Sequence, residues 1–154
     1  MGMLAWTTTL ALLLAASEQA SETPKIHSRA AYKIGQTSKV LRSAEELGTL
    51  TNTGADRATA QLARAFKVDS IDWKKQMVIV ISGGSRPTGG YSVDAQKLEV
   101  KDNKLIVHWK LNSPAPGSFV TQAFTHPMQA ILVDRREGAV EFHPPPPKGK
   151  NQDR

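Results

Sequence analysis

The residues able to do chemistry lie closest together in Ser82–Val93, SGGSRPTGGYSV. Gly83-Gly84-Ser85-Arg86-Pro87 approaches the nucleophile elbow Gly-x-Ser-x-Gly, in which a sharp strand-to-helix turn raises a serine for attack. Here the fifth position is proline and the segment runs on into a strand, so Ser85 reads as a turn serine. A phosphate-cradling loop would need Gly-Lys-Ser/Thr opening a helix, and neither follows. The histidines His27, His108, His126 and His143 show no ligand spacing such as a pair at i and i+4, and no metal site is expected. Asp69, Asp72, Asp94 and Asp102 could supply paired carboxylates, but turn and cap duties account for them. The sequence therefore points to no catalytic residue and no cofactor. The chemistry left is recognition. Arg86 offers a planar fork for carboxylates or carbonyls, and Tyr91 a large amphipathic surface, both types enriched at binding hot spots. The candidate partner-binding loop is Arg86, Pro87, Thr88, Gly89, Gly90 and Tyr91. A second reading stays open, in which Arg86 and Thr88 only tie down their own loop and Tyr91, alternating with Val93, faces the core.

Positioning such a loop requires a strand on each side. Met77–Ile81 is a continuous apolar run rich in β-branched residues, as expected of a strand covered on both faces at the centre of a sheet. After the loop, Tyr91, Val93 and Ala95 alternate with polar residues, and Leu98 and Val100 continue the pattern. Asp102-Asn103 tolerates the left-handed conformation of a type I′ turn. Pairing across it sets Val100 opposite Leu105 and Leu98 opposite Val107 on one face, extended by Trp109 and Leu111, with Glu99 meeting Ile106 and Lys97 meeting His108 on the other. Ser113–Ser118, with two prolines and a glycine, is a loop. Phe119–Thr125 is expected to start the last long strand, Pro127 to interrupt it, and Ala130–Val133 to resume it as a buried run.

Upstream, Ala31–Ile34 is a candidate strand. Ser43 with Glu46 forms a capping-box pair for a short helix carrying Leu47 and Leu50. A second helix, capped by Asp56, places Ala58, Leu62, Ala65 and Phe66 on one face, with Arg57, Gln61 and Arg64 toward water. The fold expected is α+β: a small antiparallel-rich sheet with two short N-terminal helices packed on it.

The chain has 154 residues, 40% of them hydrophobic, enough for one domain with a real core. Its charge of +6 comes from scattered lysines and arginines, without the aromatic-interleaved basic platform of a single-strand binder, so nucleic acid is not expected as a partner. With no cysteine, disulfides, thiol nucleophiles and cysteine-ligated zinc are excluded. Residues 1–17 read as a signal peptide: no charged side chain, an apolar run Leu10–Ala16, and Ala15 and Ser17 at the −3 and −1 spacing of a cleavage site. The run is too short for a membrane span of roughly 20 residues. A secreted or periplasmic location follows, with a disordered spacer over 18–30, the α+β domain over 31–142, and a Pro-rich basic disordered tail over 143–154.

From Ile34 to Phe142 the order of elements and the loop text resemble the PrcB C-terminal domain family, the protease stability complex PrcB-like domain. The resemblance rests on IGQTSKVLRSAEEL, IDWKKQMVIVISGGSRPTGGYSV and LIVHWKLNSPAPGSFVTQAFTHP, three segments in the family's order. It implies a small exported α+β module, non-catalytic, that accompanies or stabilises a protease or an envelope protein complex, with Arg86–Tyr91 as the signature loop. A thinner likeness exists to chagasin-type cysteine-protease inhibitors, which present Asn-Pro-Thr-Thr-Gly and an aromatic. Arg86–Tyr91 keeps the Pro, Thr, Gly and aromatic pattern but not the first residue, and the inhibitors' other loop is missing. The alternatives are thus a chagasin-like inhibitor or a structural envelope domain without loop-mediated binding.

Overall fold

The computed structural model describes residues 22–147. In chain order they form β1 (Ile26–Ala30), β2 (Lys39–Leu41), α1 (Ala44–Thr51), α2 (Ala55–Phe66), β3 (Gln76–Ser82), β4 (Ser92–Lys101), β5 (Lys104–Asn112), β6 (Met128–Asp134) and β7 (Val140–His143). The strands make two sheets. One is antiparallel, ordered β1-β6-β3-β2; the other is ordered β4-β5-β7, with β4 and β5 antiparallel and β5 and β7 parallel. The class is α+β, as the sequence indicates, but the β layer is doubled.

The unalternating run in β3 is explained by what covers it. Val78 and Val80 join Leu47, Ala58, Leu62 and Phe66 in a core under the helices. Met77, Ile79 and Ile81 join Ala95, Leu105, Val107 and Trp109 in a second core between the sheets. With period-2 alternation, a strand buried on both faces needs apolar residues at every position. At about 1.5–3 kcal/mol per fully buried aliphatic side chain, β3 and its partner β6 contribute more burial energy than any other pair of strands.

The Asp102-Asn103 turn has φ of 50° and 59°, and the four cross-strand pairs expected across it are all present. The ladder slips between Ala95 and Lys97, and this bulge keeps Ala95 and Leu98 on one face although their spacing is odd. Helix α1 starts as expected: Ser43 Oγ accepts from Glu46 N at 3.2 Å. The reciprocal bond is displaced by one residue, since Glu46 Oε2 accepts from Arg42 N at 2.7 Å. Helix α2 begins at Gly54 without a side-chain cap; Asp56 sits in its first turn, where a negative charge complements the helix dipole.

Besides the cap expected of Asp56, four expectations need correcting. Ala31–Ile34 is not a strand; Ile34 is buried in the helix-side core from a connecting segment. Residues 26–30, assigned to a disordered spacer, are β1, whose backbone pairs with β6. Phe119–Thr125 is not a strand, and β6 begins only at Met128, after Pro127. His143, assigned to the tail, closes β7, and Trp109 Nε1 donates to Pro144 O at 2.7 Å. The signal peptide and residues 148–154 lie outside the described residues.

Candidate functional site

Strands β3 and β6 are antiparallel, so the end of β3 at Ser82 lies beside the start of β6 at Met128. Two connections leave the sheets at this pole, residues 83–91 between β3 and β4 and residues 113–127 between β5 and β6. They are laced together. Arg86 and Thr125 form an antiparallel bridge, with Arg86 N donating to Thr125 O at 2.8 Å and Thr125 N to Arg86 O at 2.9 Å. Thr125 Oγ1 donates to Thr88 O at 2.6 Å, and Gly89 N donates to Thr121 O at 2.8 Å. Gly83 N donates to Pro127 O at 2.9 Å, and Gly84 N to Ser82 Oγ at 3.2 Å.

Gly90 is required twice over. Its φ is +83°, and a methyl group added there would stand 2.8 Å from Pro114 Cβ and 2.9 Å from Val120 Cγ1. Both the backbone conformation and the contact with the second connection exclude a side chain.

Arg86, the intended anchor, turns inward. Its Nε and Nη2 both donate to Gly83 O, at 3.0 and 2.6 Å, and its guanidinium carbon stands 5.8 Å from the centroid of the Tyr91 ring. Both residues are half-buried. Thr88 Oγ1 donates to Gly89 O at 3.2 Å, so it too serves the loop, while Pro87 is exposed. The structure thus brings Arg86 and Tyr91 together as a brace. Ser85 is exposed and leads into the Arg86 bridge, with no helix behind it.

What faces outward at this pole was not singled out from the sequence. Phe119 is 107% exposed and Phe124 78%, the large exposed hydrophobics among the described residues. Thr121 lies between them and Thr125 follows Phe124, and these two threonines are tied to the Arg86–Tyr91 loop. From Leu111 to Val133 the chain carries no Asp, Glu, Lys or Arg. Pro114, Pro116 and Gly117 before the phenylalanines and Pro127 after them were the available sign that they belong to a connection rather than to a strand.

Two of the histidines, His108 on β5 and His143 on β7, meet on the second sheet. His108 Nε2 lies 2.9 Å from Glu99 Oε2, and its ring meets that of His143 edge-on at 5.7 Å between centroids. A hydrogen bond from Lys97 and the His108 contact hold the Glu99 carboxyl below its ordinary range. Among the described residues no group of three or more His, Cys, Asp or Glu is placed to hold a metal ion, and no helix is long and apolar enough to cross a membrane.

These features define a three-layer α+β domain that concentrates its exposed apolar side chains on a braced pair of loops. A family model, PrcB C-terminal, matches residues 77–134, from the first fully buried residue of β3 to the end of β6. Both connections fall within the match. It is narrower than the resemblance drawn from Ile34 to Phe142, leaving out β1, β2, both helices and β7. No curated protein and no solved structure matches this chain.

Proposed function

We propose that this protein is an exported, non-catalytic accessory module that binds or stabilises a protease or a protease-containing envelope complex through the pole formed by the Arg86–Tyr91 loop and residues 113–127. The observation carrying this reading is the pair of exposed phenylalanines on a charge-free connection that the family's signature loop braces. Aromatic residues are enriched where interfaces desolvate. A module that binds the folded partner raises that partner's apparent stability by mass action. In this reading Arg86, Pro87, Thr88, Gly89, Gly90 and Tyr91 act chiefly by holding the surface in shape.

The test is co-purification of the full chain from its native envelope, with Phe119→Ala/Phe124→Ala and Arg86→Ala/Tyr91→Ala as variants. Loss of a protease-containing complex in the first variant and weakening in the second is expected. Undiminished recovery with both variants refutes a role for this pole.

A further inference from the structure

We propose that the free edge of β4 over residues 97–101 takes up an extended segment of a partner protein, one that carries acidic, apolar, basic, apolar and acidic side chains in succession and adds a strand to the β4-β5-β7 sheet. Residues 97–101 end at the Asp102-Asn103 turn, away from the Arg86–Tyr91 loop at the other end of β4, so this contact goes beyond the accessory-module reading and does not depend on it.

Backbone direction comes first. At ten residues β4 is the longest strand, and it ends its sheet, so among the described residues only one of its sides is paired. Leu105 N donates to Ala139 O, toward β7 and away from β4. Val100, its partner across the hairpin, therefore exchanges no hydrogen bond with it and turns its own N–H and C=O outward, and Leu98 does the same two residues earlier. Toward the start of the strand Ala95 N is satisfied by Gln129 Oε1 at 2.7 Å and the ladder slips between Ala95 and Lys97, so regular pairing is open over Lys97–Lys101. Outward backbone donors and acceptors on alternate residues are matched by another extended strand.

Side chains select that strand. Leu98 and Val100 pack on the core between the sheets but stay half-buried at its margin, so apolar residues opposite them extend the core. On the other face Lys97 and Lys101 are exposed and Glu99 is half-buried. Opposite charges facing each other across a ladder stabilise it and like charges destabilise it. The complement is therefore acidic opposite each lysine and basic opposite Glu99. Lys-Glu-Lys reads the same in both directions, so a parallel or an antiparallel strand meets it equally.

A second copy of this chain does not meet that condition. Two β4 edges related by a twofold axis pair antiparallel, and the register that matches Lys97–Lys101 with itself sets Glu99 against Glu99 and Lys97 against Lys101. Moving the register by two residues removes the clash but brings the bulge after Ala95 or the Asp102-Asn103 turn into the ladder, leaving only residues 97–99 or 99–101 paired.

The experiment titrates the full chain, isotope-labelled for NMR, with a peptide built on Glu-Val-Lys-Val-Glu and with its charge-swapped form, Lys-Val-Glu-Val-Lys. At saturation the first peptide is expected to shift the amide signals of residues 97–101 and to slow hydrogen exchange at Leu98 and Val100 at least about tenfold. The second should bind at least about fivefold more weakly. Val100→Pro removes an outward donor without touching a bond between β4 and β5, and should abolish binding of the first peptide. Lys97→Glu/Lys101→Glu, made on exposed side chains, should reverse the preference between the two peptides and decides the matter if the proline variant does not fold. No binding of the first peptide, shifts that lie outside β4, or equal affinity for both peptides overturns the proposal. Sedimentation at the same protein concentrations is the last reading: a dimer that Val100→Pro dissolves assigns the edge to a second copy and overturns the partner strand.

Discussion

Replacing Gly90 by alanine isolates the brace between the two connections. The residue sits at φ +83°, where an L side chain is strained by about 1–2 kcal/mol. The added methyl also meets Pro114 Cβ at 2.8 Å and Val120 Cγ1 at 2.9 Å, an overlap that costs about 1–3 kcal/mol to relieve because both neighbours belong to a tethered segment. Together the penalty is about 2–5 kcal/mol, a large share of the roughly 5–15 kcal/mol that holds a domain folded. Gly117→Ala is the matched control. Its φ is +80°, but nothing lies within 4 Å of the added methyl, so only the backbone strain of about 1–2 kcal/mol applies. Urea unfolding followed by tryptophan fluorescence measures both, since Trp73 and Trp109 lie in the folded domain. With a slope of about 2 kcal/mol per molar urea, the Gly90 variant should lose about 1–2.5 M in midpoint and the Gly117 variant about 0.5–1 M. Equal midpoints for the two variants would refute the close approach of Gly90 to Pro114 and Val120, and with it the brace.

Ile79→Ala opens a cavity in the core between the sheets and should cost about 2–5 kcal/mol in urea unfolding; a loss below about 1 kcal/mol would mean that the sheets do not pack there. Ser43→Ala removes the hydroxyl that accepts from Glu46 N and should cost about 1 kcal/mol, with circular dichroism reporting fraying of α1; unchanged stability would argue against the cap. Asp134 links β6 to the N-terminal strand, with His27 Nε2 2.6 Å from Oδ1 and Lys25 N donating to Oδ2 at 2.9 Å. Burial alone would raise its pKa, but the bonds from His27 and Lys25 outweigh burial and hold it below its ordinary 3.8. A carboxyl depressed in the folded state contributes stability above its unfolded value and loses it as the pH falls through the folded one. Between about pH 5 and pH 2 the wild type should therefore lose more stability than Asp134→Asn, and parallel pH profiles would disprove the linkage.

Much of the β-structure is legible because it depends on local chemistry. The β4–β5 hairpin follows from two turn residues that accept left-handed geometry and from apolar alternation on both arms, and its register holds to the residue. The bulge between Ala95 and Lys97 was not expected, since Leu98 and Val100 read as a continuation of the alternation. Strand β1 was not legible: Ile26–Ala30 alternates weakly among polar residues, and its pairing with β6 lies more than a hundred residues away in sequence. Strand β7 was equally hidden, since a four-residue parallel edge strand depends on the exposed side of β5.

By itself the sequence determined the two-faced burial of β3, the hairpin, both helices and the glycine-bracketed loop, because each follows from periodicity or from backbone preferences acting over a few residues. Only the tertiary structure decided which side of the loop pole faces water. Arg86 and Tyr91 look like anchors until Gly83 O and the neighbouring ring satisfy them, and Phe119 looks like a strand residue until Thr121 and Thr125 are drawn to the signature loop and leave it outside. Arg86 and Tyr91 are turned by contacts within their own loop, whereas the placing of the phenylalanines depends on contacts between residues more than thirty positions apart.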